Sequence, residues 1–381
     1  MGVEIFEGFT HWDQNDPLVK WDTLGNYNNM TISSTYGRNG SGLSVLTGGF
    51  GGVNRLRVSS PGGSAASVMF EKYFTEPVTN INAGFAIKLN DEELAHPISL
   101  IAFIDTSAGE SATILGSRYF KTQISLLLTP QQQLVFCYGE SFGSPIESLH
   151  IVGPYSPPLK RGVFSYIELA SSVGTPGSIR LWMDGKSIFS DSVTTQSTTH
   201  PSFGGVRFFN HLGQSPTYVR NYYIDDIYVT TSGSRFSDVV VETLLPNEFG
   251  ALSQWTASNG GTLNYDMVNE LSPNDDTDYN TATAAGNIDT YGYSSLANTS
   301  GTIHGVAINA VGVNKDISSA GSIMIKGVYR QGGVNYETEW RQMGTLIYKA
   351  NILSFLTNPA TGNRFSISEI NTNELGIDRV T

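Results

Sequence analysis

The alternation of apolar and polar positions predicts a chain built from short β-strands. Residues 222–229 alternate on a background of aromatic and β-branched side chains, which is typical of a strand with one face on a core. Residues 230–234 are small and polar and include a glycine, so they predict an exposed connection. We therefore predict a first domain over residues 1–230, a linker over residues 231–237 and a second domain over residues 238–381.

Strand-like segments recur through the first domain with turn signals between them. Residues 83–89 alternate cleanly, and residues 123–129 and 134–138 flank a short polar link, which predicts a hairpin. Asp184-Gly185 separates two further strands and favours a type I′ turn, in which both central residues have positive φ. Because no convincing amphipathic helix interrupts the series, we predict an antiparallel jelly-roll sandwich.

The second domain shows the same kind of pattern in fewer residues. Strands are predicted at residues 236–246, 303–313 and 321–330, and a short helix at about residues 368–373. The predicted fold class is therefore all-β: an antiparallel jelly-roll sandwich followed by a second, smaller β-sandwich domain.

Composition narrows the function classes. Charged residues make up 15% of the 381 residues, against about 25% in typical globular chains, so the surface must be rich in Ser, Thr, Asn, Gln and Gly. This surface suits an extracellular or virion protein that meets other proteins or sugars. The net charge is −12 and no run of Lys or Arg occurs, which argues against nucleic-acid binding because that function needs a basic footprint.

The single cysteine and the termini bear on location. Cys137 lies in a strand-like segment and predicts a buried apolar residue more than a reactive thiol. One cysteine forms no intrachain disulfide, which favours folding in a cytoplasm. Residues 1–7 do not have the form of a signal peptide, and no apolar run approaches the roughly 20 residues of a membrane span, so we expect no membrane insertion.

The first domain resembles a known fold family. Residues 180–185 read as a strand that ends in an Asp-Gly turn, and residues 224–227 carry an Ile-Asp-Asp-Ile core in the closing strand. In these features residues 1–230 resemble a concanavalin A-like jelly roll of the laminin-G and lectin type. The resemblance implies the fold and suggests sugar binding, but one fold hosts many activities.

The residues argue against an enzyme. Glycoside hydrolases of this architecture use two carboxylates about 5–5.5 Å apart, placed on alternate positions of one strand, and no such segment occurs. Glu92 and Glu93 are adjacent and would point to opposite faces of a strand. The six histidines show no metal-ligand spacing, and no Gly-x-Ser-x-Gly motif is present. We predict that the chain is not an enzyme.

Candidate ligand-binding residues follow from the expected sugar binding. Aromatic side chains in predicted loops are the natural platforms for a sugar ring, and core packing is the alternative role for each of them. These candidates are Trp12, Trp21, Tyr27, Tyr36, Tyr155 and Tyr218.

Two acidic pairs are candidates for calcium. Asp225-Asp226 lies in the closing strand, and Asp275-Asp276 belongs to a run of three carboxylates in four residues. The 12-residue calcium loop with a distal Glu is missing from that run, so turns in which Asp side chains accept backbone N–H bonds are the alternative. We predict no required cofactor, with calcium left open.

The second domain resembles a module found at the C-terminus of tailed-bacteriophage structural proteins. The resemblance covers about residues 236–381 and rests on spaced motifs, with Phe365 where the family usually has Trp. These motifs are residues 238–246 with 254–256, residues 274–279, residues 289–291, residues 358–362 and residues 374–376.

That resemblance implies a virion structural protein made in the host bacterial cytoplasm. We predict a tail fibre, tail-tip or baseplate component whose lectin-like domain contacts host surface polysaccharide, with a head decoration or head-fibre protein as the alternative. A secreted glycan-active enzyme is the third hypothesis. The expected partners are other virion proteins and further copies of the chain, as a trimer.

Overall fold

The structure is a computed structural model of the whole chain. It describes residues 3–7, 23–25, 30–33, 42–46, 69–89, 97–114, 117–139, 150–211, 221–231, 234–270, 276–315, 323–346 and 348–381. The described residues form two compact units: the first contains those up to residue 241, and the second contains those from residue 242 to residue 381.

The first unit consists of β-strands. They are β1 (Val3–Glu7), β2 (Thr23–Gly25), β3 (Met30–Ser33), β4 (Gly42–Leu46), β5 (Met69–Val78), β6 (Asn80–Leu89), β7 (Ile98–Ile114), β8 (Ser117–Leu128), β9 (Leu134–Tyr138), β10 (His150–Val152), β11 (Phe164–Ser172), β12 (Gly177–Met183), β13 (Lys186–Val193), β14 (Phe203–His211) and β15 (Asn221–Thr230).

These strands form two antiparallel sheets. Sheet A has the order β13-β12-β11-β6-β15-β4-β3, with β1 also paired to β15, and sheet B has the order β10-β9-β8-β7-β14-β5-β2. Both sheets also join strands that are distant in sequence, such as β6 with β15 in sheet A and β7 with β14 in sheet B, which is the crossed connectivity of a jelly roll. The apolar faces pack together: Phe136 of sheet B and Phe189 of sheet A lie edge to face, with ring centroids 5.9 Å apart.

Local predictions in this unit are confirmed. Strands β8 and β9 form the expected hairpin, and Asp184 and Gly185 have φ values of 51° and 76° at the β12–β13 turn. The predicted closing strand, residues 222–229, is β15, and it lies inside sheet A between β6 and β4. Cys137 is fully buried, as the sequence predicted.

The strand predicted over residues 236–246 is wrong. Residues 234–245 form no strand, and β16 begins only at Pro246. Instead, residues 234–241 lie along the outer face of sheet A; we call this segment the strap. Its backbone N–H groups at positions 236, 237 and 241 donate to side chains of sheet A rather than to a neighbouring strand. Residues 235–237 of the predicted linker are therefore part of the first unit.

The second unit contains shorter strands and one α-helix within the described residues. They are β16 (Pro246–Ser253), β17 (Thr256–Ala257), β18 (Asn280–Thr281), β19 (Ile288–Tyr293), β20 (Val306–Asn314), β21 (Met324–Gln331), β22 (Val334–Glu337), β23 (Arg341–Gln342), β24 (Gly344–Thr345), β25 (Lys349–Phe355), α1 (Ile367–Thr372) and β26 (Glu374–Arg379), with a 3₁₀ turn at Asn264–Met267.

The core of this unit lies between two main sheets. One has the order β16-β19-β26-β21-β22 and the other β24-β20-β25. Ile308 and Leu353 of the smaller sheet pack with Tyr329 and Leu375 of the larger one, and Ile370 of α1 joins them. Helix α1 matches the predicted helix and begins with a capping box between Ser366 and Glu369.

The predicted fold class is confirmed: the chain is all-β, with antiparallel sandwiches. No helix in the described part of the chain is long and apolar enough to cross a membrane.

Candidate functional site

The two faces of sheet B differ in chemistry. Ile124, Phe103 and Val206 are cross-strand neighbours on the face toward sheet A, and this face is apolar. The next residues along the same strands point to the opposite face because strand side chains alternate. That outer row contains Ser125, Ala102, Arg207 and Glu71 in register. The outer face therefore carries the charged side chains.

Arg207 and Glu71 form an ion pair in which both side chains are fully buried. Nε of Arg207 donates to Oε1 of Glu71 at 2.5 Å, Nη1 donates to Thr122 Oγ1 at 3.2 Å, and Nη2 donates to the Phe120 carbonyl at 2.9 Å. Replacing such a pair by apolar residues is often neutral or stabilising, so a buried pair is weak evidence for a role in stability. Its position on a sheet face makes it a candidate for function.

Tyr73 is the solvent-reachable end of this group. Its side chain is partly exposed, and its hydroxyl donates to Oε2 of Glu71 at 2.7 Å. The ring is held edge to face against Phe120, with centroids 5.2 Å apart. We call Glu71, Tyr73, Thr122 and Arg207 the sheet B cluster.

A second polar group adjoins the cluster at the end of sheet B. The hydroxyl of Ser197 donates to the Thr122 carbonyl at 2.5 Å, and the backbone N–H of Ser197 donates to Gln123 Oε1 at 2.6 Å. Buried Asp105 accepts from the Thr198 hydroxyl at 2.5 Å, and its Oδ2 lies 3.5 Å from Nδ1 of His200. A carboxylate beside one ring nitrogen of an exposed histidine orients that ring.

The sheet B cluster has the parts of a proton relay. The Tyr73 oxygen can accept a proton from a bound molecule while its own proton passes along the existing hydrogen bond to Glu71. Arg207 balances the charge of the Glu71 carboxylate, and Thr122 and the Phe120 carbonyl fix the guanidinium. General bases act across hydrogen-bond distances of this kind.

Most of the predicted ligand-binding residues lie outside the described residues: Trp12, Trp21, Tyr27, Tyr36 and Tyr218. Tyr155 is described and is 49% exposed. It lies on the connection between β10 and β11 and is not part of the sheet B cluster. Its role in binding stays a prediction.

The side chains of Asp225 and Asp226 accept hydrogen bonds from backbone N–H groups. Both are buried where β15 shifts register against β6, and Asp226 has a φ of 52°. Asp225 Oδ1 accepts from the Asp226 N–H at 2.9 Å, and Asp226 Oδ1 accepts from the Val241 N–H at 2.9 Å. These contacts match the backbone-bonding alternative that the sequence left open, and the calcium alternative stays a prediction.

Asp275 lies outside the described residues, whereas Asp276 is exposed. Asp276 is paired with Lys315 and accepts from the Tyr348 hydroxyl at 2.6 Å. The hydrogen bonds from Lys315 and Tyr348 lower the pKa of Asp276. Across the described ranges, no three His, Cys, Asp or Glu side chains are grouped as metal ligands.

Sequence reasoning missed the sheet B cluster, although a signal was present. Glu71 and Tyr73 are at alternate positions of β5, and Arg207 stands between apolar residues of β14. A charged residue at a core-like position requires a partner when buried. That partner is 136 residues away in sequence, so the local pattern could not identify it.

The motifs of the second unit stabilise its loops. Asn358 is fully buried, and its Nδ2 donates to Glu369 Oε1 at 2.6 Å and to Gln331 Oε1 at 3.0 Å. Asp289 is also buried and accepts from Asn264 at 2.6 Å and from the Tyr291 hydroxyl at 3.0 Å. These residues explain how the unit folds, and they indicate no reaction or location.

Comparison with known proteins identifies similar folds without showing a family. No protein-family model and no curated protein matches the chain. A solved endo-β-1,4-glucuronan lyase from the fungus Trichoderma reesei is 14% identical, covering 60% of this chain and 96% of its own, with a TM-score of 0.44. The cellulose-induced protein Cip1 is 18% identical, covering 62% and 100%, with a TM-score of 0.39. The alginate lyase vAL-1 from Chlorella virus is 11% identical, covering 58% and 98%, with a TM-score of 0.40.

These findings correct the predicted function. The similar solved structures include polysaccharide lyases rather than phage structural proteins, so the prediction of a tail or head component of a virion is wrong. Those lyases are enzymes, whereas the sequence predicted no enzyme activity for this chain. At these identities and TM-scores the likeness concerns the fold, and the chemistry must be argued from the side chains.

Proposed function

We propose that the chain is a polysaccharide-active enzyme that uses the sheet B cluster for proton transfer. The observation that carries this proposal is the hydrogen bond from partly exposed Tyr73 to Glu71, whose carboxylate is held by buried Arg207. A hydroxyl, a carboxylate and a guanidinium in series on the outer face of a sheet form a preorganised acid–base group.

The cluster fits elimination better than hydrolysis. Hydrolysis by paired carboxylates needs two carboxyl groups about 5–10 Å apart across the scissile bond, and Glu71 is the carboxylate of this cluster. Elimination needs one base that removes a proton α to a carbonyl or carboxylate group. The substrate class that offers such a proton beside a glycosidic bond is a polysaccharide containing uronic acid.

The proposed step is a β-elimination. The substrate C–H bond breaks and its proton bonds to the Tyr73 oxygen, while the tyrosine proton moves to Glu71. The electron pair of the C–H bond forms a C=C bond and expels the glycosidic oxygen, which takes a proton from solvent. At the end of the step Tyr73 again carries one proton and Glu71 is protonated. Glu71 returns its proton to the hydroxide that is left when solvent protonates the glycosidic oxygen.

Tyr73→Phe tests the proposal because it removes only the hydroxyl. The ring contact with Phe120 is retained, so we expect the protein to fold. Purified native protein should cleave at least one member of a panel of uronate polysaccharides, and Tyr73→Phe should lower kcat by about 10²–10⁴-fold with a small change in KM. Tyr279→Phe in the second unit, which removes the hydroxyl of an exposed tyrosine outside the sheet B cluster, should retain native activity.

Two results would count against the proposal. Full activity in Tyr73→Phe would show that the hydroxyl transfers no proton. Binding of a polysaccharide without cleavage by the native protein would instead favour a carbohydrate-binding protein that performs no chemistry.

A further inference from the structure

The strap is held on sheet A by hydrogen bonds from its backbone to side chains. Three of its backbone N–H groups donate to side chains of sheet A: Phe236 to the Tyr228 hydroxyl at 3.1 Å, Ser237 to Glu168 Oε1 at 2.7 Å, and Val241 to Asp226 Oδ1 at 2.9 Å. An extended peptide bound to a protein surface is held in the same way, through its main chain.

Side chains of the strap fill specific positions on the outer face. The guanidinium of Arg235 lies over the Trp182 ring, with Cζ 4.8 Å from the centroid, and forms an ion pair with Glu168. The Phe236 ring lies against Tyr228, with centroids 4.8 Å apart. Phe236 and Val239 are 5% and 7% exposed, whereas the residues between them are exposed. Anchors separated by exposed residues are typical of bound linear segments.

The receiving residues form a built site. Glu168 is 1% exposed, and its two oxygens accept from the Tyr228 hydroxyl, the Ser237 N–H and Arg235. Tyr228 reaches Glu168 by crossing Gly84, where a Cβ would lie 2.3 Å from Cε1 of the tyrosine ring. Burial raises the pKa of Tyr228, so its hydroxyl stays protonated and available as a donor. The outer face of sheet A thus offers the rings of Trp182 and Tyr228, the buried Glu168 carboxylate and a second acceptor, Asp226.

We propose that the outer face of sheet A is a recognition surface for an extended segment of the form Arg-Phe-Ser-x-Val, and that the strap is its intramolecular ligand. The surface is distinct from the sheet B cluster and does not depend on the proposed enzyme activity. The strap leaves the site at Val241, and its backbone is held by side chains of sheet A rather than by strand pairing.

Cutting the chain before the strap tests this proposal in the full-length protein. A protease site inserted between Thr231 and Ser234 is cleaved after folding, and the association of the two fragments is measured by size-exclusion chromatography at graded dilution. We expect the native fragments to co-elute. Phe236→Ala and Arg235→Gln should each weaken the association at least about tenfold, whereas Arg180→Ala, an exposed arginine on the same face, should not.

A competition experiment covers the case in which a variant does not fold. An excess of a synthetic peptide with the sequence of residues 234–242 should release the C-terminal fragment from the native nicked protein, and a peptide of scrambled sequence should not. Separation of the native fragments on cleavage would overturn the proposal. Equal retention of the fragments in both strap variants, or failure of the peptide to compete, would also overturn it.

Discussion

Gly84 in β6 is the position where the packing of sheet A is most open to a direct test. It is the cross-strand neighbour of both Tyr228 and Glu168. A Cβ at this position would lie 2.3 Å from Cε1 of Tyr228 and 3.0 Å from the Tyr166 hydroxyl. Gly84→Ala must therefore move the Tyr228 ring away from Glu168 and from Phe236.

The cost of this change has two parts. Overpacking of a dense site costs about 1–3 kcal/mol, and the lost hydrogen bond between Tyr228 and the Glu168 carboxylate costs about 1.5–3 kcal/mol. Removing a glycine from a strand interior returns about 0.5–1 kcal/mol. We therefore expect the free energy of unfolding of the first unit to fall by about 2–4 kcal/mol, measured by urea denaturation with circular dichroism.

A double-mutant cycle decides whether the tyrosine is the cause. In a Tyr228→Ala background the ring is absent, so Gly84→Ala should become neutral or slightly stabilising. A loss of the same size in both backgrounds would refute the steric explanation.

Three further predictions follow from buried polar groups. Arg207→Met leaves Glu71 buried without its cation and should lower the free energy of unfolding by about 3–5 kcal/mol, measured by thermal unfolding. The double variant with Glu71→Leu should lose less stability than Arg207→Met alone. A larger loss in the double variant would contradict the prediction. Asn358→Ala removes the hydrogen bonds to Glu369 and Gln331 and should lower the free energy of unfolding by about 1–3 kcal/mol. Asn363→Ala, at an exposed position on the same loop, should change it by less than about 0.5 kcal/mol. Equal effects of the two variants would refute a role for the buried amide. Burial and the neighbouring Arg364 lower the pKa of His304 from 6.5, so the unfolded chain binds this proton more readily than the folded chain. The second unit should therefore lose stability as pH falls from 6.5 through the lowered pKa. His304→Gln should remove that part of the pH dependence of stability, and an unchanged pH profile would contradict the prediction.

The strands of the first unit could be predicted from local pattern. Alternation over residues 83–89 and the Asp184-Gly185 turn both depend on neighbours within a few residues, and both were found where expected. The segment at residues 236–246 shows the limit of this reasoning. The run of three valines at positions 239–241 has the composition of a strand. However, the N–H groups of residues 236, 237 and 241 donate to the side chains of Tyr228, Glu168 and Asp226. A β-branched sequence therefore remains outside any sheet when side chains satisfy its backbone.

The candidate site could not be predicted because it depends on the order of strands in sheet B. Glu71 and Arg207 meet because β5 and β14 are neighbours, and nothing in either segment specifies that pairing. The motifs that suggested a phage module, such as residues 358–362, were recognisable because they fix a tight loop around Asn358. Their spacing describes how the loop folds, which is why it misled the assignment of function.

The most direct test of the proposed enzyme is the chemical identity of its product. The native protein is incubated with uronate polysaccharides, and the released oligosaccharides are analysed by mass spectrometry and ultraviolet absorbance. We expect oligosaccharides with an unsaturated terminal residue, each lighter by one water than the hydrolysis product, and none of them from Tyr73→Phe. Saturated products that have gained water, or the same unsaturated products from Tyr73→Phe, would contradict it.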